Sequence, residues 1–203
     1  MKLVDAENYI IQTFQKYNIV CLGEGEHHLE NSHQFFQKMF ANKIIQKTIN
    51  IVIVEFANTT YQDILDRYIF GEEVPINELR KIWRESTQCI GRFGEATIYF
   101  ELLKKIRTVN FSLSVNNKIR VLGGDPPIDW EVVRSVDDYN KSNCQRDIYP
   151  AELSIEYGLN RSMKVLVIYA ESHITKITDK TAFSHSNIST YINDKYPDTI
   201  KCI

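Results

Sequence analysis

Glu24, His27, Glu55, Asp125 and His173 share one context: each stands at or just past the end of a short apolar run. The first run, Ile19–Leu22, passes through Gly23 into "EGEHH". The second, "NIVIVEFANTTYQ", carries Glu55, Asn58 and Gln62. The third, "KIRVLGGDPPIDW", ends in Asp125 and Asp129, and the fourth, "KVLVIYAESHITK", in Glu171, Ser172 and His173. An imidazole titrates near neutral pH and is the natural general base, and a neighbouring carboxylate fixes its tautomer. Carboxylates clustered with histidines can also hold a divalent ion and activate water on it. The set therefore supports base chemistry on water or metal ligation, with His27, His173 and Asp125 as candidate metal ligands.

Those residues are far apart in sequence, so the fold must gather them. Short apolar runs alternate with helical periodicity, the pattern of an α/β fold. Strands are expected at Ile19–Gly23, Ile51–Phe56, Ile119–Gly123, Val165–Tyr169 and Thr199–Ile203. Near-continuous apolar runs suit parallel strands covered on both faces. The expectation is a mainly parallel central sheet of about five strands with helices on both faces. Parallel strands joined by right-handed crossovers align their C-terminal ends along one edge, where ligands sit in such sheets. The acids and imidazoles should meet there. No single member carries that argument, since an isolated Glu at a strand end is commonly a cap or solvated.

Helical signals fill the gaps. Ser32 can cap a helix with Phe35, Phe36, Met39, Phe40 and Ile44 on one face. Thr60 and Asp63 read as a capping box before Tyr61, Ile64, Leu65 and Tyr68, with Gly71 as the stop. Asn77 starts another helix. A longer one covers Glu95 to Ser112, Asp129 caps a short one, and Pro150 suits the first turn of a helix reaching Asn160. "DDYNKSNCQRD", Asp137 to Asp147, has no periodicity and reads as a surface loop. His33 and His185 read as outward-facing, and at most one of His27 and His28 should face the cleft. Thr199–Ile203 reads as an edge strand or marks a shortened domain.

The chain has 203 residues, is 43% hydrophobic and carries a formal charge of -2. That fits one globular domain spanning residues 1–203. Near charge balance suggests neither a nucleic-acid footprint nor a basic membrane-binding surface, and no apolar run approaches the roughly 20 residues that span a bilayer. "MKLVDAENYIIQTFQKYN" lacks the unbroken apolar region of a signal peptide, so a cytoplasmic location is expected. Cys21, Cys89, Cys144 and Cys202 form no C-x-x-C pair, which argues against a zinc knuckle. Cys21 and Cys202 read as buried small hydrophobes. There is no G-x-S-x-G elbow, H-E-x-x-H helix, Walker loop or G-x-G-x-x-G fingerprint.

"VCLGEGEHHLENSHQFF" resembles the G-E-x-x-H segment of erythromycin-esterase-like proteins, whose superfamily includes iron-regulated haem-binding lipoproteins and Tiki-type proteases. "VEFANTTYQDILDRYIFGEEV", "LRKIWREST", "IRVLGGDPPIDW" and "VLVIYAESH" look like a group of bacterial proteins within or near it. The resemblance runs from Asn18 to His173 and implies an active-site carboxylate at Glu24, a catalytic or ligand-binding His27, a second-strand acid at Glu55 and a late histidine at His173. In two respects the chain departs from the family. Asn31 stands where the esterases carry a further acid, and there is no room for the long helical insertions of a macrolide pocket. Two functions follow as expectations. One is a small hydrolase in which His27 activates water, oriented by Glu24 or Glu55, with a small ester or amide bound near Arg67, Asp125 and Asn58. The other is a metal- or haem-binding module, or an inactive relative. A divalent metal ion is the candidate cofactor, and the expected partner is a small molecule.

Overall fold

The computed structural model describes residues 3–25, 30–88, 97–175 and 186–203. Five strands form one all-parallel sheet in the order β3-β2-β4-β1-β5, with β1 Ile19–Gly23, β2 Ile51–Asn58, β3 Arg120–Asp125, β4 Val165–Tyr169 and β5 Ile200–Cys202. Strand side chains alternate between two apolar layers, as a two-residue period dictates. Val20, Leu22, Val52, Val54, Val121, Leu166 and Ile168 face one layer. Ile19, Cys21, Ile51, Ile53, Leu122, Val165, Val167 and Tyr169 face the other.

Helices α1 (Leu3–Lys16), α2 (Glu30–Met39), α3 (Lys43–Thr48), α4 (Gln62–Phe70), α5 (Ile76–Arg84) and α6 (Thr97–Phe111) accompany the first layer. The β3–β4 connection holds α7 (Val136–Asn143) and α8 (Ile148–Ser154), the latter extended by a π-helical stretch, Ile155–Asn160. With α9 (Glu171–Ile174) and α10 (Ile188–Lys195), α8 covers the second layer. The fold is thus α/β with helices on both faces. The core-packing helices that follow β1 and β2 lie on one face and those that follow β3 and β4 on the other. Neighbouring strands in the order 3-2-4-1 therefore send their chains opposite ways, which opens crevices at the C-terminal edge. Among the described residues, no helix is long and apolar enough to cross a membrane.

Several elements differ from the sequence reading. The helix expected from Ser32 through Ile44 is two helices, broken where the Asn42 side chain caps α3 by accepting from the Ile44 N–H. Ile44 is exposed and Ile45 takes the core position. Asn58, rather than Thr60, caps the turn before α4, and Gly71 closes that helix with φ 116°, a left-handed conformation suited to glycine. Asp129 makes a turn, accepting from the Glu131 N–H, instead of capping a helix. The segment read as loop contains α7, capped by Ser135, whose hydroxyl oxygen accepts from the Asp138 N–H. Short polar helices lack the apolar stripe that periodicity detects.

Candidate active site

Glu55 sits where the sheet becomes irregular. Pairing of β2 with β4 ends at Val54, and the β2–β3 register shifts between Val54 and Asn58. Such irregularities re-aim side chains. One Glu55 oxygen accepts from Gln88 at 2.6 Å and Arg146 at 2.9 Å, and the other accepts from the Ala170 N–H at 2.7 Å. A buried carboxylate needs such partners, because taking the charge out of water is costly. Glu55 is 2% exposed.

His173 lies beside it on α9. Its Nε2 is 3.5 Å from Glu55 and its Nδ1 is 2.7 Å from Asp147. Asp147 and Arg146 belong to the turn entering α8, so the β3–β4 connection brings both to the end of β4. The His173 side chain is 17% exposed, so solvent reaches the imidazole above the deeply placed Glu55. Tyr169 packs edge-on against His173. Among the described residues its hydroxyl is buried without a hydrogen-bond partner, and burial, then the Glu55 and Asp125 charges, push it well above the usual phenol range.

Asp125 closes β3. It accepts from the Thr87 N–H at 2.7 Å and the Thr87 hydroxyl at 2.5 Å. Burial pushes its carboxyl up to about 6, with Glu55 adding to the rise and Thr87 and Arg146 opposing it. Glu24, at the end of β1, is buried 3.7 Å from the Nε2 of His33. Tyr99 stands near both Glu24 and Glu55, whose charges reinforce the effect of burial in raising its hydroxyl. The backbone ties these groups together, for the Glu24 N–H donates to the Tyr169 carbonyl and the next N–H, of Ala170, donates to Glu55.

Glu24, Glu55, Asp125 and His173 therefore gather along the C-terminal edge. His27, His28 and His185 lie outside the described residues. Asn58 is spent on structure: its amide donates to the Glu85 and Ile128 carbonyls and its oxygen accepts from the Thr60 N–H. Arg67 does not join the cluster. Its neighbour Asp66 binds Arg120, the first residue of β3, which puts that turn of α4 at the opposite edge, and Arg67 pairs with the exposed Glu72. Among the described residues, no group of three or more His, Cys, Asp or Glu is placed to hold a metal ion. His173 is engaged with Asp147, and Asp125 with Thr87.

Sequence reasoning missed Gln88, Arg146, Asp147 and His33. Contrary to expectation, His33 is 2% exposed and faces Glu24, edge-on to Phe36 and Tyr99. Its spacing of three residues before Phe36 was the available signal, because residues three apart share a helix face.

No family model and no curated protein sequence matches the chain. Among solved structures, it is similar to the crystal structure of a protein from Bacillus cereus. The two share a TM-score of 0.67 at 13% identity, over 100% of this chain and 68% of that one. At that identity the likeness concerns the fold.

Proposed function

We propose that this chain is a hydrolase that activates water against a small ester or amide at the C-terminal edge of its sheet. The observation that carries the reading is His173, with Nδ1 at 2.7 Å from Asp147 and Nε2 toward Glu55 at 3.5 Å. With its proton on Nδ1, the ring donates to Asp147 and offers the Nε2 lone pair to water. The contact to Glu55 is long for a direct hydrogen bond, and one water can serve both groups. Gln88, Arg146 and the Ala170 N–H keep the Glu55 carboxylate from swinging. Arg146, partly exposed beside it, suits a developing oxyanion. Glu24 and His33 form a deeper acid–imidazole pair, and the family resemblance implies a catalytic or ligand-binding role for His27. Substrates are small molecules, and the location is cytoplasmic.

The test is a panel of small esters and amides offered to wild type and to a folded His173→Ala variant. Removing a water-activating base should lower turnover by about 10²–10⁴-fold. A wild type inert toward the whole panel, or a His173→Ala variant with unchanged turnover, would overturn the reading.

A further inference from the structure

Cys21 and Cys202 are register partners across the β1–β5 pair. Both belong to the apolar layer shared with α8 and α10, so they stand side by side on one face of the sheet. Neighbouring strands run about 4.8 Å apart, inside the Cα separations of about 4.4–6.8 Å that a disulfide bridges. Their thiols are hydrogen-bonded, and that bond, followed by burial, pushes the Cys21 thiol up. Cys21 is buried, whereas Cys202 is partly exposed on the edge strand.

We propose that Cys21 and Cys202 form an oxidisable dithiol, a modification site that a small disulfide such as oxidised glutathione converts into an intramolecular disulfide across β1 and β5. The exposed member reacts first. The Cys202 thiolate attacks one sulfur of glutathione disulfide, and one glutathione leaves as its thiolate and takes up a proton. Cys21 then loses its proton and attacks the Cys202 sulfur, and the second glutathione leaves. The protein gives up two electrons and two protons, and the oxidant becomes two glutathione thiols. Because the Cys21 thiol resists ionisation, the second exchange is the slow one and a transient Cys202 adduct precedes the link.

The bond would pin an edge strand of three residues. It would do so beside the site edge, where Ile203 donates to the Cys21 carbonyl and accepts from the Gly23 N–H, one residue before Glu24. The proposal is independent of the hydrolase reading.

The test uses the 203-residue protein carrying Cys89→Ser and Cys144→Ser, incubated with oxidised glutathione, alkylated, and read by intact and peptide mass spectrometry. The expected product is lighter by two hydrogen atoms, with Cys21 and Cys202 in one linked peptide pair and the link reversed by a thiol reductant. Adding Cys202→Ser should abolish that species. A lasting glutathione adduct on Cys202, or two free thiols, under conditions that fully modify the exposed Cys144 of wild type, would overturn the proposal.

Discussion

The imidazole of His173 is bonded through Nδ1 to the Asp147 carboxylate at 2.7 Å, joining two segments 26 residues apart. The partnership explains how a residue on a helix of only four residues is held in place. In the proposed hydrolase it also fixes which nitrogen meets water. Asp147→Asn keeps the shape but offers an amide that can donate to Nδ1 and favour the wrong tautomer. The expected outcome is a fall in kcat of about 10²-fold or more with KM little changed. Equal kcat in the two proteins, measured on the best ester or amide, would remove Asp147 from the mechanism.

Arg146 and Arg67 offer a paired test of which cation matters. Arg146 donates to the buried Glu55 carboxylate, whereas the Arg67–Glu72 pair is open to solvent. Arg146→Ala leaves a buried charge short of one donor and should cost about 1–3 kcal/mol in denaturant unfolding. Arg67→Ala should leave the unfolding midpoint in place, since exposed pairs are screened. A larger loss for Arg67→Ala would reverse the assignment.

What the sequence disclosed, and what it hid, follows from range. The expected bounds of β1 and β4 match the structure because fully buried parallel strands are unbroken apolar runs. Convergence of Glu24, Glu55, Asp125 and His173 follows from strand direction alone. Arg146 and Asp147 were hidden because they sit in a polar stretch with no period, and only the path of the β3–β4 connection brings them to Glu55 and His173. His33 was hidden because a polar residue on a helix ordinarily faces solvent, whereas a buried acid just past β1, Glu24, is its neighbour. Asn58 misled in the opposite sense, for its polarity serves backbone groups of Glu85 and Ile128.

Gly124 and Tyr169 make a close backbone–ring approach under the cluster. A Cβ at Gly124 would overlap the Tyr169 hydroxyl and ring edge, and Tyr169 is 1% exposed with no room to retreat. Gly124→Ala should therefore cost about 1–3 kcal/mol. Tyr169→Phe removes a buried hydroxyl that has no hydrogen-bond partner among the described residues, so by itself it should cost little. It also removes the worst overlap, so the double variant should recover part of the Gly124→Ala loss in a double-mutant cycle. Strictly additive effects would show that the ring and the glycine do not press on each other.

Asp125 gives the cluster a signature in stability against pH. Burial, assisted by the Glu55 charge, raises its carboxyl from 3.8 to about 6, so the folded protein holds this proton more tightly than the unfolded chain. The sign follows from linkage: where the folded state binds more protons, stability falls as pH rises. The contribution is fully present below about pH 4 and is lost as pH rises through about 6. Asp125→Asn imitates the protonated acid, because its oxygen can accept from the Thr87 N–H while its amide donates to the Thr87 hydroxyl oxygen. The variant should thus gain on wild type as pH rises, by up to about 3 kcal/mol between roughly pH 4 and pH 7. Urea unfolding of both proteins at these two pH values checks it. A difference that stays constant, or that narrows toward pH 7, would mean that Asp125 is as well stabilised ionised in the folded protein as in the open chain.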